Sequence, residues 1–116
     1  MERAIKKSLE DILQMIEEID SFFEEGNRRF DVYMSNTCLR RAIQMNLSII
    51  GEATNRILKL DPGINISSSR KIVSTRNFLI HGYDSLSHDI IWSIVMRHLP
   101  ILKEEVNKLL GKKEDV

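Results

Sequence analysis

Ile5, Leu9, Ile12, Ile16, Ile19 and Phe23 recur every three or four positions, with Glu10, Asp11, Glu17 and Glu18 set elsewhere on the turn. A helix advances about 100° per residue, so this spacing gathers the apolar side chains on one face and leaves the acids to water. Such a helix is stable only when its stripe is covered by other helices. Strand-like alternation is missing, and five Gly and two Pro in 116 residues leave few breaks. The expectation is an all-α protein, an antiparallel helical bundle of four to five helices. Residues 1–110 should form one bundle domain, with 111–116 as a flexible C-terminal tail.

The remaining helices follow from the same period. Asp31 can cap a second helix whose inner stripe carries Leu39, Ile43, Leu47, Ile50, Ile57 and Leu58, ending before Asp61-Pro62-Gly63. Met45 and Ile49 fall off that stripe, beside Glu52 and Arg56, which stand at pairing distance i, i+4. Two faces of this helix are therefore apolar, through packing between two neighbours or through a subunit interface, and the first is the expectation. Ser67-Ser68-Ser69 can cap a third helix that runs to about Gly82. Ile90, Ile91, Ile94 and Val95, with Trp92, mark a fourth. Pro100 suits the first turn of a fifth helix bearing Ile101, Leu102, Val106, Leu109 and Leu110, or else a kinked continuation of the fourth.

Seventeen basic residues balance seventeen acidic ones, so whole-molecule attraction to nucleic acid is excluded and any such role must rest on a local site. The basic pairs Arg28-Arg29, Arg40-Arg41 and Arg70-Lys71 would flank an RNA path if the fold gathered them; otherwise they are solvated surface. Cys38 is alone and is expected to pack rather than to act as a nucleophile. No stretch approaches the roughly 18 apolar residues of a membrane span, and the first residues lack a signal-peptide apolar region. A cytoplasmic protein is the expectation. His88 and His98 have neither metal-ligand spacing nor companion cysteines, and no Walker loop or dinucleotide fingerprint occurs. No metal or cofactor is expected, and both histidines read as surface residues. Trp92, among isoleucines, reads as a core or interface anchor.

Chemistry concentrates in Arg76-Asn77-Phe78-Leu79-Ile80-His81-Gly82-Tyr83. On a helix, Ile72, Val73, Leu79 and Ile80 span an arc of about 120°, and Arg76 and Tyr83 fall inside it. A permanent cation in an apolar stripe needs an anion or acceptors, so Arg76 should line a groove or meet a partner. Asn77 and His81 are neighbours at i, i+4 on an adjacent face. Arg76 and His81 lie about 140° apart. Their convergence on one substrate needs the long arginine stem, distortion near Gly82, or a second copy of the helix.

The pattern Arg-x4-His-x-Tyr, with asparagine after the arginine, resembles the signature of HEPN domains and specifically the HepT-like toxin branch. Ile49-Ile50-Gly51-Glu52-Ala53 looks like that branch's second-helix run, and Trp92 followed by Leu99-Pro100-Ile101-Leu102 looks like its ending. The resemblance implies a helical bundle, usually a homodimer, acting as a metal-independent endoribonuclease toxin of a type VII-like toxin–antitoxin system. It also implies an RNA substrate, tRNA among the choices, and neutralisation by a nucleotidyltransferase-like antitoxin. The residues suit that chemistry. A ribose 2′-hydroxyl can serve as internal nucleophile, leaving the protein to move protons and to stabilise phosphate charge. His81 is the expected acid or base, Arg76 the phosphate clamp, Asn77 a supporting group and Tyr83 an RNA-binding residue. That Tyr83 is a site of adenylylation follows from the resemblance alone.

Glu52 could orient Arg76 from the neighbouring helix, but its angle and the nearby Arg56 favour a structural pair. The competing reading of the whole chain is a non-catalytic helical module that binds nucleotide or docks a nucleotidyltransferase; a purely structural helical dimer is a third.

Overall fold

A computed structural model describes residues 1–23, 26–81 and 87–111, with His81 described by its backbone alone. The described residues form helices without a strand: α1 (Arg3–Phe22), α2 (Phe30–Ser35), α3 (Thr37–Leu60), α4 (Ser69–His81), α5 (His88–Ser93) and α6 (Leu99–Leu109). A π-helical turn at Ile94–His98 joins α5 to α6, so the two run as one bent rod. The all-α expectation holds. Residues 112–116, expected as a tail, lie outside the described residues.

The α1 stripe is buried as its spacing requires: Leu9, Ile12, Ile16 and Ile19 meet Ile43, Leu47, Ile50 and Ile57 of α3 in the core. Covering each such side chain contributes about 1.5–3 kcal/mol. Polar cross-links fix the pair antiparallel. Asn46 Nδ2 donates to Met15 O at 3.2 Å and to Glu18 Oε1 at 3.0 Å, while at the other end Arg56 Nη2 lies 3.7 Å from Asp11 Oδ2. Ile91, Ile94, Leu99, Leu102 and Val106 of the bent rod close the core.

Two expectations are corrected. The second helix does not begin at Asp31: Asn36 has an extended backbone and its Oδ1 accepts from the Leu39 N–H at 3.0 Å, which caps α3 and splits off the short α2. Pro100 stands in the first turn of α6, as expected, and α6 follows the fourth helix directly through the π turn. Proline has no N–H for the i−4 carbonyl, and the wider π turn, in which Leu99 N–H reaches Ile94 O, absorbs the break. Cys38 does not pack; it is exposed on the first turn of α3.

The two described histidines are half-buried rather than on the surface. His88 Nδ1 pairs with the hydroxyl of fully buried Tyr33 at 2.9 Å, and His98 Nδ1 with Ser68 Oγ at 3.1 Å. Each ties the bent rod to another element. Burial lowers the His98 pKa below its ordinary value, with Lys71 and Arg97 pushing the same way. Trp92 anchors an aromatic cluster with Phe23, Phe30 and Tyr33 at centroid distances of 5.5–6.1 Å.

Candidate active site

α4 lies antiparallel against α3, and its registration on α3 is set at Gly51. A Cβ placed on Gly51 would come within 2.2 Å of Arg76 Cβ, 3.0 Å of Arg76 Cγ and 3.1 Å of the Ile72 carbonyl oxygen. Only a residue without a side chain lets the two backbones approach this closely. The stem of Arg76 therefore crosses α3 over bare backbone, which brings its head to the edge of the α3–α4 cleft.

The guanidinium finds the acceptors that its place in an apolar stripe demanded. Arg76 Nη1 donates to Asn77 Oδ1 at 3.0 Å, and Nη2 stands 3.8 Å from Glu52 Oε2. The side chain of Arg76 is 23% exposed and that of Glu52 55%. At this distance and exposure the ion pair contributes about 0–1 kcal/mol and mainly sets direction. Arg76 Nε is buried with no hydrogen-bond partner among the described residues. A buried donor left unpaired costs about 1–3 kcal/mol, so close packing, rather than a full set of bonds, holds the stem in place.

The geometry also redistributes the pairs expected from the sequence. Arg56 turns to Asp11 on α1 and to Ser8 Oγ at 3.4 Å, and Glu52 is left to Arg76. The expected Glu52–Arg56 pair is thus not formed. Helix α3 faces α1 on one side and α4 on another, and each acid or base answers the helix opposite it. Asn77 is exposed, with its carbonyl oxygen committed to Arg76. His81 closes α4, but its side chain, together with Gly82 and Tyr83, lies outside the described residues, so their expected convergence with Arg76 is not described either.

Several members of the basic pairs are held by local partners. Arg28 is bound to Asp20 at 2.8 Å and lies over the Phe23 ring, and Arg29 is bound to Asp31 at 3.0 Å. Arg40 donates to the Met34 carbonyl and to Thr37 Oγ1. Arg41 reaches the α3–α4 cleft.

Sequence comparison decides the family. The profile of the family described as "Ribonuclease HepT-like" matches residues 12–109. The chain belongs to that family. A HepT-like relative from Thermococcus cleftensis, named "Probable ribonuclease HepT", is 33% identical over 113 residues, covering 94% of this chain and 98% of the relative. A candidate RNase of Methanocaldococcus jannaschii is 30% identical over 108 residues, 90% of this chain and 94% of the relative. No solved structure gives a significant match. The expected enzyme class of this HepT-like chain, a ribonuclease, is thereby met.

Sequence reasoning gave no role to Gly51 and turned Glu52 the wrong way. A signal for Gly51 was there: a glycine inside a long apolar helix costs about 0.5–1 kcal/mol relative to alanine and so marks a close approach. Nothing in the sequence said which side chain approaches it. Among the described residues, no helix is long and apolar enough to cross a membrane.

Proposed function

We propose that this protein is a metal-independent endoribonuclease whose cleaving groove forms where two copies pair their α3–α4 faces. Arg76 binds the scissile phosphate and His81 transfers the proton. The 2′-oxygen attacks phosphorus as its proton passes to a base, and the bond from phosphorus to the 5′-oxygen breaks as that oxygen is protonated. The products are a 2′,3′-cyclic phosphate and a 5′-hydroxyl. Asn77 fixes the guanidinium through its carbonyl oxygen and leaves its amide nitrogen to face substrate. Arg76 stabilises the charge gathering on the non-bridging oxygens, through a fork that a lysine would not reproduce.

One observation carries this reading: in a HepT-like ribonuclease chain, Arg76 is packed over Gly51 with its guanidinium held between Glu52 and Asn77, both exposed. A second copy as partner is supported by Ile49, exposed on α3, and Phe78, 54% exposed on α4. Covering them removes apolar surface from water and brings a second α4 to the first. That arrangement answers the 140° between Arg76 and His81 within one helix.

In this reading the protein is the toxin of a toxin–antitoxin pair acting in the cytoplasm on RNA, tRNA included. A nucleotidyltransferase-like antitoxin silences it by adenylylating Tyr83, which would place an anion and bulk beside the phosphate site. The test is cleavage of RNA by purified protein in EDTA, with the product ends identified. Cyclic phosphate and 5′-hydroxyl ends are expected. Products with a 5′-phosphate, or activity only with added divalent metal, would contradict the mechanism.

A further inference from the structure

The cleft that seats Arg76 continues along α3 and α4 into an open groove of about 310 Å³, lined by Arg41, Gln44, Met45, Ser48, Leu79 and Ile80. Ser48 stands one turn before Gly51–Glu52 on α3, and Ile80 one turn after Arg76 on α4, so the groove begins where the Arg76 site ends. Its two walls differ in chemistry. Leu79, Ile80 and Met45 give an apolar surface, whereas Arg41, Gln44 and Ser48 give a polar rim.

Arg41 distinguishes this groove from a bare apolar face. The neighbouring cations are taken: Arg76 by Glu52 and Asn77, Arg56 by Asp11, Arg40 by Thr37 and the Met34 carbonyl. Arg41 is exposed and has no ion pair or hydrogen bond among the described residues. Gln44 offers a half-buried carboxamide whose only described contact is its nitrogen, 3.5 Å from the Tyr33 hydroxyl, which leaves its oxygen to accept. Ser48 Oγ spends its proton on the Met45 carbonyl at 2.8 Å and keeps its lone pairs for a donor.

A free guanidinium, two acceptors and a small apolar floor match one nucleotide: a phosphate, a base edge and a base face. The volume is at the small end of ligand pockets, which suits a nucleoside rather than a larger group. A partner helix would need an apolar run of four anchors over two turns, longer than the floor supplied by Met45, Leu79 and Ile80. Ten residues of helix separate Arg41 from Gly51, about 15 Å along the axis. Arg41 and Arg76 therefore serve phosphates of different nucleotides.

We propose that this groove is a nucleotide subsite for single-stranded RNA, seating a base beside the scissile position while Arg41 binds a flanking phosphate. It rests on the ribonuclease reading of the Arg76 site and adds how substrate is held there. Arg41 is exposed and makes no ion pair or hydrogen bond among the described residues, so its substitution should leave the bundle intact, which the urea midpoint of the variant checks.

The test is fluorescence anisotropy of the full chain with a labelled 2′-O-methyl RNA oligonucleotide, which binds but lacks the internal nucleophile, titrated over a range of salt. Arg41→Gln should weaken binding about tenfold, as loss of one charge-assisted contact does. It should also reduce the slope of log affinity against log salt by about 0.7, the value for one phosphate of a single strand. Ser48→Leu, which fills the groove with carbon, should weaken binding and leave the slope unchanged. Wild-type affinity and slope in Arg41→Gln would overturn the subsite. So would variants that alter the oligomeric state in sedimentation while binding is unchanged, since a second copy would then be what covers the groove. The two readings fail separately: RNA bound through Arg41 but never cleaved contradicts the catalytic reading, and cleavage with an unchanged salt slope contradicts the subsite.

Discussion

Replacing Gly51 with alanine adds one methyl group where α3 and α4 touch. The new carbon would sit 2.2 Å from Arg76 Cβ, whereas an ordinary contact begins near 3.4 Å, so the helices must part by more than an ångström. The atom struck is bound directly to the α4 backbone and cannot swing aside. Overpacking of this kind costs about 1–3 kcal/mol. Alanine's better helix propensity returns about 0.5–1 kcal/mol, which leaves a net loss of up to about 2.5 kcal/mol. In urea denaturation the midpoint should fall without a change in slope. Cleavage should suffer more than stability, because moving a positioned group by about 1 Å can cost about 100-fold in rate. Gly63→Ala is the control: its added carbon would meet only Asp61 Oδ1 at 3.8 Å, and it should leave both measurements near wild type. Gly51→Ala with wild-type midpoint and full cleavage would refute the claim that this contact positions Arg76.

Three further outcomes follow from the described contacts. Asn36→Ala should cost about 1 kcal/mol in denaturation by uncapping α3, with cleavage retained. Because the folded pKa of His98 lies below its ordinary value, the unfolded chain binds its proton first as pH falls. The stability His98 contributes is therefore present above its unfolded pKa and lost as pH drops from about 6.5 through the folded value, and the loss should be smaller in His98→Gln. Glu52→Gln should change stability by less than about 1 kcal/mol, since the pair with Arg76 is long and partly exposed, yet it should lower cleavage.

The helices were legible where burial is one-sided: the stripe from Ile5 to Ile19 and that from Ile43 to Ile57 are core in the structure as the period requires. The break at Asn36 was less so, because Asp31 and Asn36 are both good caps and only the folded chain shows which N–H groups each one meets. At the site, the demand that Arg76 find acceptors could be read from its angle alone. Its partner could not, since Glu52 and Arg56 are ideally spaced within one helix, and the choice of Arg56 for Asp11 and Glu52 for Arg76 depends on which helices flank α3. His88 and His98 looked like surface residues for the same reason: their partners, Tyr33 and Ser68, are 55 and 30 positions away.

In the proposed mechanism Arg76 and His81 cleave RNA together, in a groove shared between two copies. Its most direct test is RNA cleavage in EDTA by wild type, Arg76→Ala, His81→Ala and a refolded equal mixture of the two variants. The wild type should be active, the two variants inactive, and the mixture should regain activity because each mixed dimer holds one intact pair. Undiminished cleavage by either variant, or a wild type inactive in EDTA, would contradict it.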